Sequence, residues 1–213
     1  KNKINQSGGA FLIQSFYETS IYCREKFKEE HLDIERMIKK FSRERIFPNK
    51  HKVDNYDKEL SLKLIREAGG LGLLGIEVPT EYGGIDLDLI TSAINMEAIT
   101  FGYSFSFLAT FSVQSGIGLL PILWFGTKKQ KEKYLNKLVS GKIIGAYGLT
   151  EPSAGSDALS AKTKAVLSED GKHYILNGEK IFITNGGWAD VFTVFAQVDD
   201  NKFSAFIVDR DTP

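Results

Sequence analysis

Apolar residues along the first two thirds of the chain recur at i, i+3, i+4 and i+7, the period of an α-helix with one buried face. Ile34, Met37, Ile38 and Phe41 form one such stripe, and Leu87, Ile90, Ile94 and Ala98 form another. Between them Leu60, Leu64, Ile65 and Ala68 predict a helix that stops at Gly69-Gly70. A further helix is predicted from Thr127, which has capping-box spacing with Gln130, to Gly141, and it buries Tyr134, Leu135 and Leu138.

After Gly141 the apolar period falls from 3.6 to 2, with β-branched and aromatic residues in short runs. Strands are expected at 159–167, 173–177, 179–184, 190–198 and 203–209. Asp170-Gly171 and Asn177-Gly178 predict hairpins, because both central positions of a type I′ turn need positive φ. Strands this close leave no room for crossover helices, so the expected sheet is largely antiparallel, a barrel or sandwich. The fold class is multi-domain α then β: an N-terminal helical bundle over residues 1–145, then an antiparallel β domain over 146–213. The chain stops at Asp211-Thr212-Pro213 directly after a strand, so the β domain is expected to be incomplete and the whole to be the front portion of a longer protein.

Phe101 to Thr127 carries no charged residue and is long enough to cross a bilayer. Its serines, threonines, glycines and Pro121 all weaken insertion, so the expectation is a helix or helix pair buried in a bundle and no stable membrane span. The N-terminal run KNKINQSGGAFLIQSFYETS lacks a continuous apolar core followed by a small-residue cleavage site, which predicts a cytoplasmic protein.

Composition narrows the class. Lys plus Arg and Asp plus Glu both number 27 and cancel, which argues against a nucleic-acid partner or an anionic membrane surface. The single Cys23 excludes an internal disulfide, and His31, His51 and His173 are too scattered for a zinc site, so no metal is expected.

Gly70-Leu71-Gly72-Leu73-Leu74-Gly75 fits the G-x-G-x-x-G fingerprint, but a helix precedes it and Pro79 follows, the reverse of the strand-turn-helix context that binds a dinucleotide. A helix stop and loop is the expected role. Glu81-Tyr82-Gly83-Gly84-Ile85-Asp86 reads as a tight loop, with Asp86 as the N-cap of the next helix.

Two segments carry chemistry. Ala146 to Asp157 (AYGLTEPSAGSD) is a strand ending in a loop of small and hydroxyl residues, where Gly155 and Ser156 can approach an anion, although a plain connecting loop fits that composition equally. Lys180 to Gly187 (KIFITNGG) again ends a strand in glycines, with Phe182 and Thr184 on one face. Together they offer an aromatic face, edge hydroxyls and a phosphate-sized loop, as a flat heteroaromatic cofactor requires.

These residues resemble a known family. Tyr147 to Asp157, with TEPSAGSD at its centre, resembles the signature of the acyl-CoA dehydrogenases, and Lys180 to Gly187 that family's second flavin-contacting strand. The likeness extends to VPTEYGG at 78–84 and to Phe125-Gly126-Thr127 leading into a Lys/Gln-rich helix. It implies an N-terminal helical domain, a middle β-barrel and a C-terminal four-helix domain, of which this chain matches the first and most of the second. It implies FAD as cofactor, contacted by Tyr147, Leu149, Thr150, Gly155, Ser156, Phe182, Ile183 and Thr184. In that alignment Leu149 and Thr150 face the isoalloxazine, and Ser156 lies near the phosphate and the substrate thioester. Phe182, where many relatives carry tryptophan, packs on the flavin face away from substrate, and Thr184 points toward N5.

The implied reaction is α-proton abstraction from an acyl-CoA by a glutamate, with β-hydride transfer to flavin N5, giving a trans-2-enoyl-CoA. That glutamate belongs to the C-terminal domain, so no catalytic residue is expected in this chain; neither Glu97, on a patterned helix, nor Glu151, in the signature loop, is promoted to base. The 213 residues alone are expected to hold FAD weakly and to be inactive. The resemblance also implies an electron-transfer flavoprotein as acceptor, a homodimer or homotetramer when complete, and long or very long acyl chains. Residues 101–125 help to line the acyl pocket through Ala109, Ser112, Val113, Gly116 and Gly118. Flavin monooxygenases, acyl-CoA oxidases and nitroalkane oxidases share the scaffold, and a non-catalytic assembly module is a third reading.

Overall fold

The computed structural model describes residues 23–198 and 202–213; the N-terminal run read above for a targeting signal lies outside them. Helices come first and a mixed sheet second, the order that the hydrophobic period predicts.

The helices are α1 (Glu29–Phe41), α2 (Lys50–Asp54), α3 (Lys58–Gly70), α4 (Leu89–Ile99), α5 (Phe105–Ser115), α6 (Leu120–Phe125) and α7 (Lys128–Val139). The predicted stripes face one core: Ile38 and Phe41 of α1, Leu64, Ile65 and Ala68 of α3 and Ala98 of α4 pack with Phe107 and Phe111 of α5. The same core includes Ile144, Ala146 and Ala189, so helices and sheet share it. A second cluster joins Leu135 and Leu138 of α7 to Ile122 of α6 and to Val191.

The helix stop at Gly69-Gly70 is observed, and the glycines that follow it form turns rather than a dinucleotide loop. The capping box at α7 is also present: Gln130 N–H donates to Thr127 Oγ1 at 3.3 Å and Thr127 N–H donates to Gln130 Oε1 at 2.8 Å. Thr127→Ala is expected to lower the stability of the full-length protein by about 1 kcal/mol, read from a denaturant melt. The expectation for Asp86 is corrected. It takes a left-handed φ of +54°, and Asp88 caps α4 instead, its carboxylate accepting from Thr91 N–H at 2.9 Å.

The uncharged stretch splits into α5 and α6 across a turn at 116–119. At 1.5 Å per residue, the 11 residues of α5 span about 16 Å, roughly half a hydrocarbon core. By length and composition Phe105–Phe125 passes as a spanning segment, yet Phe107 and Phe111 within it are almost wholly buried in the bundle.

The strands are β1 (Gly145–Gly148), β2 (Lys164–Leu167), β3 (Tyr174–Asn177), β4 (Val191–Val198) and β5 (Lys202–Asp209). β4 is the organising strand: β5 pairs antiparallel along its whole length, while its other edge is divided between β1 and β2, both parallel to it. β3 pairs antiparallel with β2 at the rim. The expected antiparallel sheet is therefore corrected to a mixed one. Short connections restrict only consecutive strands, and β1 reaches β4 across a stretch long enough to cross over without a helix.

Two other expectations change. The β2–β3 hairpin forms, but its loop runs from Ser168 to His173 and only Gly171 has positive φ, so it is not a two-residue type I′ turn. Asn177-Gly178 makes no hairpin, because residues 179–184 form no strand. Gly178 instead serves a close approach: a Cβ there would lie 2.3 Å from Thr163 Oγ1.

Candidate functional site

At the end of β1 the chain leaves the sheet at Leu149-Thr150, and residues 180–184 run beside it, held by Ile181 N–H donating to Thr150 O at 2.9 Å. The two signature segments thus meet although only one of them is a strand. Between them lies a cavity of about 230 Å³. It is lined by Tyr147, Leu149 and Thr150 of the first segment, by Phe182 and Thr184 of the second, and by Val113 of α5 with Ile117 on the helical side.

The expected shared strand face for Phe182 and Thr184 is absent; a local backbone break does the same work. Phe182 has φ +54°, a left-handed conformation that costs a bulky residue about 1–2 kcal/mol. The residue is 88% exposed. A strained residue presenting a bare aromatic face to a cavity is a pattern of ligand clamps. The hydroxyls of Thr150 and Thr184 have no hydrogen-bond partner among the described residues, so both are free for a ligand.

Three predicted contacts lie elsewhere. Ile183 lines a different cavity, of about 560 Å³, between the α2–α3 corner, α5 and Trp188, and Thr184 borders both. Gly155 and Ser156 sit in the exposed loop after Glu151; a Cβ at Gly155 would meet open space, so its backbone is accessible to a ligand.

Several supporting residues have roles that their place in the motifs does not reveal. Glu151 is buried, and its carboxylate accepts from Lys162 N–H (2.5 Å), Thr163 N–H (2.9 Å), Thr163 Oγ1 (2.5 Å) and Lys180 Nζ (2.7 Å). Burial pushes this carboxyl up, but Lys180, Thr163 and the two amides outweigh it and hold its pKa at about 2. Lys180 Nζ also donates to Leu149 O at 2.9 Å. Asn185, buried at a left-handed φ of +67°, donates to Gly145 O at 3.2 Å and ties the second segment back to β1. Burial also pushes the Tyr147 phenol up.

From Ile117 and Tyr147 an apolar groove of about 660 Å³ leads away between α6 and the sheet. Leu120, Trp124 and Phe125 form its helical side, Phe195 and Ile207 its sheet side. Of the residues expected to line an acyl pocket, Val113 borders the smaller cavity and Gly116 the groove, while Ala109 borders the cavity of Ile183.

This combination of helical bundle, mixed sheet and a hydroxyl-edged aromatic cavity at their junction corresponds to the matches found with known proteins. Residues 28–142 match the acyl-CoA dehydrogenase N-terminal domain, and residues 146–213 match the acyl-CoA dehydrogenase middle domain. The chain belongs to the acyl-CoA dehydrogenase family. A probable acyl-CoA dehydrogenase of Bacillus subtilis (strain 168) is 48% identical over 208 residues, covering 98% of this chain and 35% of that protein. A mitochondrial very long-chain specific acyl-CoA dehydrogenase of Macaca fascicularis is 42% identical over 182 residues, covering 81% of this chain and 27% of that protein. The crystal structure of an acyl-CoA dehydrogenase complexed with FAD from Bacillus anthracis superposes with a TM-score of 0.86 at 46% identity, covering 90% of this chain and 32% of that one. The chain thus spans about a third of the length of these relatives.

Proposed function

We propose that the protein containing this sequence is an FAD-dependent acyl-CoA dehydrogenase that converts an acyl-CoA to a trans-2-enoyl-CoA. The observation that carries the proposal is the cavity itself, with an exposed aromatic ring and two unpartnered hydroxyls facing one space. Those features fit a tricyclic ring whose faces are apolar and whose edge carries hydrogen-bonding nitrogens and oxygens. The FAD complex of the Bacillus anthracis relative supports the same cofactor here.

When bound, FAD supplies a hydride acceptor at N5. The chain's own residues bind and orient. Phe182 offers its face to the ring, Thr150 and Thr184 donate to the polar edge, and Tyr147 with Leu149 backs the wall. Hydrogen bonds donated at that edge favour the charge that accumulates on reduction. The backbone around Gly155 and the Ser156 hydroxyl hold the pyrophosphate, with Ser156 also near the thioester. The apolar groove beyond Ile117 holds the acyl tail and excludes water from it, which suits long chains, and the macaque very long-chain relative supports that preference.

The base that removes the α-proton belongs to residues beyond this sequence. Glu151 is not available for that task, since four donors already occupy its carboxylate. Electrons leave to an electron-transfer flavoprotein, the whole enzyme acts as a homodimer or homotetramer, and kinship with Bacillus proteins supports a cytoplasmic setting.

The test is anaerobic titration of the purified full-length protein. It is expected to be yellow, to bleach with long-chain acyl-CoA more completely than with butyryl-CoA, and to reoxidise slowly in air. A colourless protein, or a yellow one untouched by any acyl-CoA, would refute the proposal. Thr184→Val is expected to slow bleaching about tenfold, since one neutral hydrogen bond is worth up to about 1.5 kcal/mol.

A further inference from the structure

Lys180 and Glu151 are the most deeply buried ion pair among the described residues, with side-chain exposures of 8% and 4%. Neither side chain lines the cavity, yet each adjoins a residue that does. Lys180 donates to the carbonyl of Leu149, a wall residue, and Glu151 follows Thr150 directly. The carboxylate also gathers Lys162 and Thr163, so the end of β1, the approach to β2 and the second signature segment all converge on it.

For stability alone such a pair is a poor investment, because desolvating both charges costs about as much as their attraction returns, and an apolar pair of similar shape does as well. What an apolar pair cannot supply is directional hydrogen bonding to Leu149 O and the two amides. We infer that the Glu151–Lys180 pair is a positioning device for the bound flavin: it ties the segment of Leu149 and Thr150 to that of Phe182 and Thr184 while leaving no net charge beside the ring. The inference rests on the flavin reading above and adds two positioning residues to it.

The charge argument has a sign that packing alone lacks. Glu151→Gln leaves the Lys180 ammonium uncompensated, and a buried cation favours the electron-rich reduced ring. Lys180→Met leaves the carboxylate uncompensated, and a buried anion disfavours that ring. Both variants disturb the geometry. In Glu151→Gln the amide must abandon either Lys162 N–H or the donors of the other oxygen, and in Lys180→Met the Leu149 carbonyl loses its ammonium partner.

The experiment uses the full-length flavin-loaded protein and measures the flavin midpoint potential by dye equilibration, with FAD affinity by fluorescence. Each single variant is expected to raise the FAD dissociation constant about tenfold, the potential to rise in Glu151→Gln and to fall in Lys180→Met, and the double variant to return close to the wild-type potential. Shifts of the same sign in both single variants, or unchanged potentials, would overturn the inference while leaving the flavin assignment intact. A wild-type protein without flavin would defeat that assignment first. If a single variant does not accumulate folded, the charge-neutral double variant decides: weaker FAD binding at a near wild-type potential supports the inference, and wild-type affinity overturns it.

Discussion

Gln114→Leu is expected to destabilise the full-length protein by about 3–4 kcal/mol, although leucine matches the apolar surroundings and roughly the volume. Gln114 is fully buried in α5 and uses both ends of its amide. Its Nε2 donates to Leu138 O at 2.8 Å and Ile143 O at 2.9 Å, and its Oε1 accepts from Gly145 N–H at 2.8 Å. One side chain therefore ties α5 to the end of α7 and to the first residue of β1. Leu138 O would keep a second bond from Gly141 N–H, but Ile143 O and Gly145 N–H would lose the partner shown for them. Each buried orphan costs about 1–3 kcal/mol. The isosteric Gln114→Glu separates this account from one based on volume. Its second oxygen would face two carbonyls, so it is expected to be at least as damaging as leucine, and a silent Gln114→Glu in a denaturant melt would falsify the account.

Gly84→Ala is the second large effect, about 3 kcal/mol. An alanine Cβ would sit 1.9 Å from the Val78 carbonyl oxygen, a backbone atom that cannot rotate away. That carbonyl accepts from Asp86 N–H at 3.0 Å, and Ile85 and Leu87 N–H donate to Gly75 O and Ile76 O, so the loop is zipped to the strip 75–78 directly after the clash. Relief would break that zipper and lift Val78, which is 1% exposed, from the second core. Gly70→Ala is the control. It ends α3 with open space where its Cβ would go, and is expected to gain about 0.5 kcal/mol through a less mobile unfolded chain. Equal effects at the two glycines would contradict the packing argument.

What was legible beforehand was whatever acts over a few residues. The stripe of α3, the Thr127–Gln130 box and the stop at Gly69-Gly70 depend on neighbours within one or two turns, and each stands as expected, whereas the α1 stripe holds at Ile38 and Phe41 but leaves Met37 exposed. The cavity was reachable through a motif: Tyr147, Leu149, Thr150, Phe182 and Thr184, named from it, line one space. What escaped depends on partners distant along the chain. Parallel pairing of β1 and β2 with β4 leaves no local trace, and the left-handed Phe182 looks like any aromatic in a strand-like run. The Gln114 clamp and the Glu151–Lys180 pair are polar residues that only a fold can bring to their partners. Asp86 and Asp88 compete for one cap two residues apart, a choice settled by the backbone of the preceding loop.

The divided edge of β4 also has a temporal meaning. Gly145 waits for Val191 before its ladder can close, so during synthesis β1 leaves the ribosome with no mate, whereas β2 finds β3 within a few residues and waits for β4 only on its other edge. Distant pairings close slowly. The cavity between the two signature segments therefore matures only after β4 has emerged, and until then the bare backbone of β1 is an invitation to mispairing that a chaperone has reason to shield.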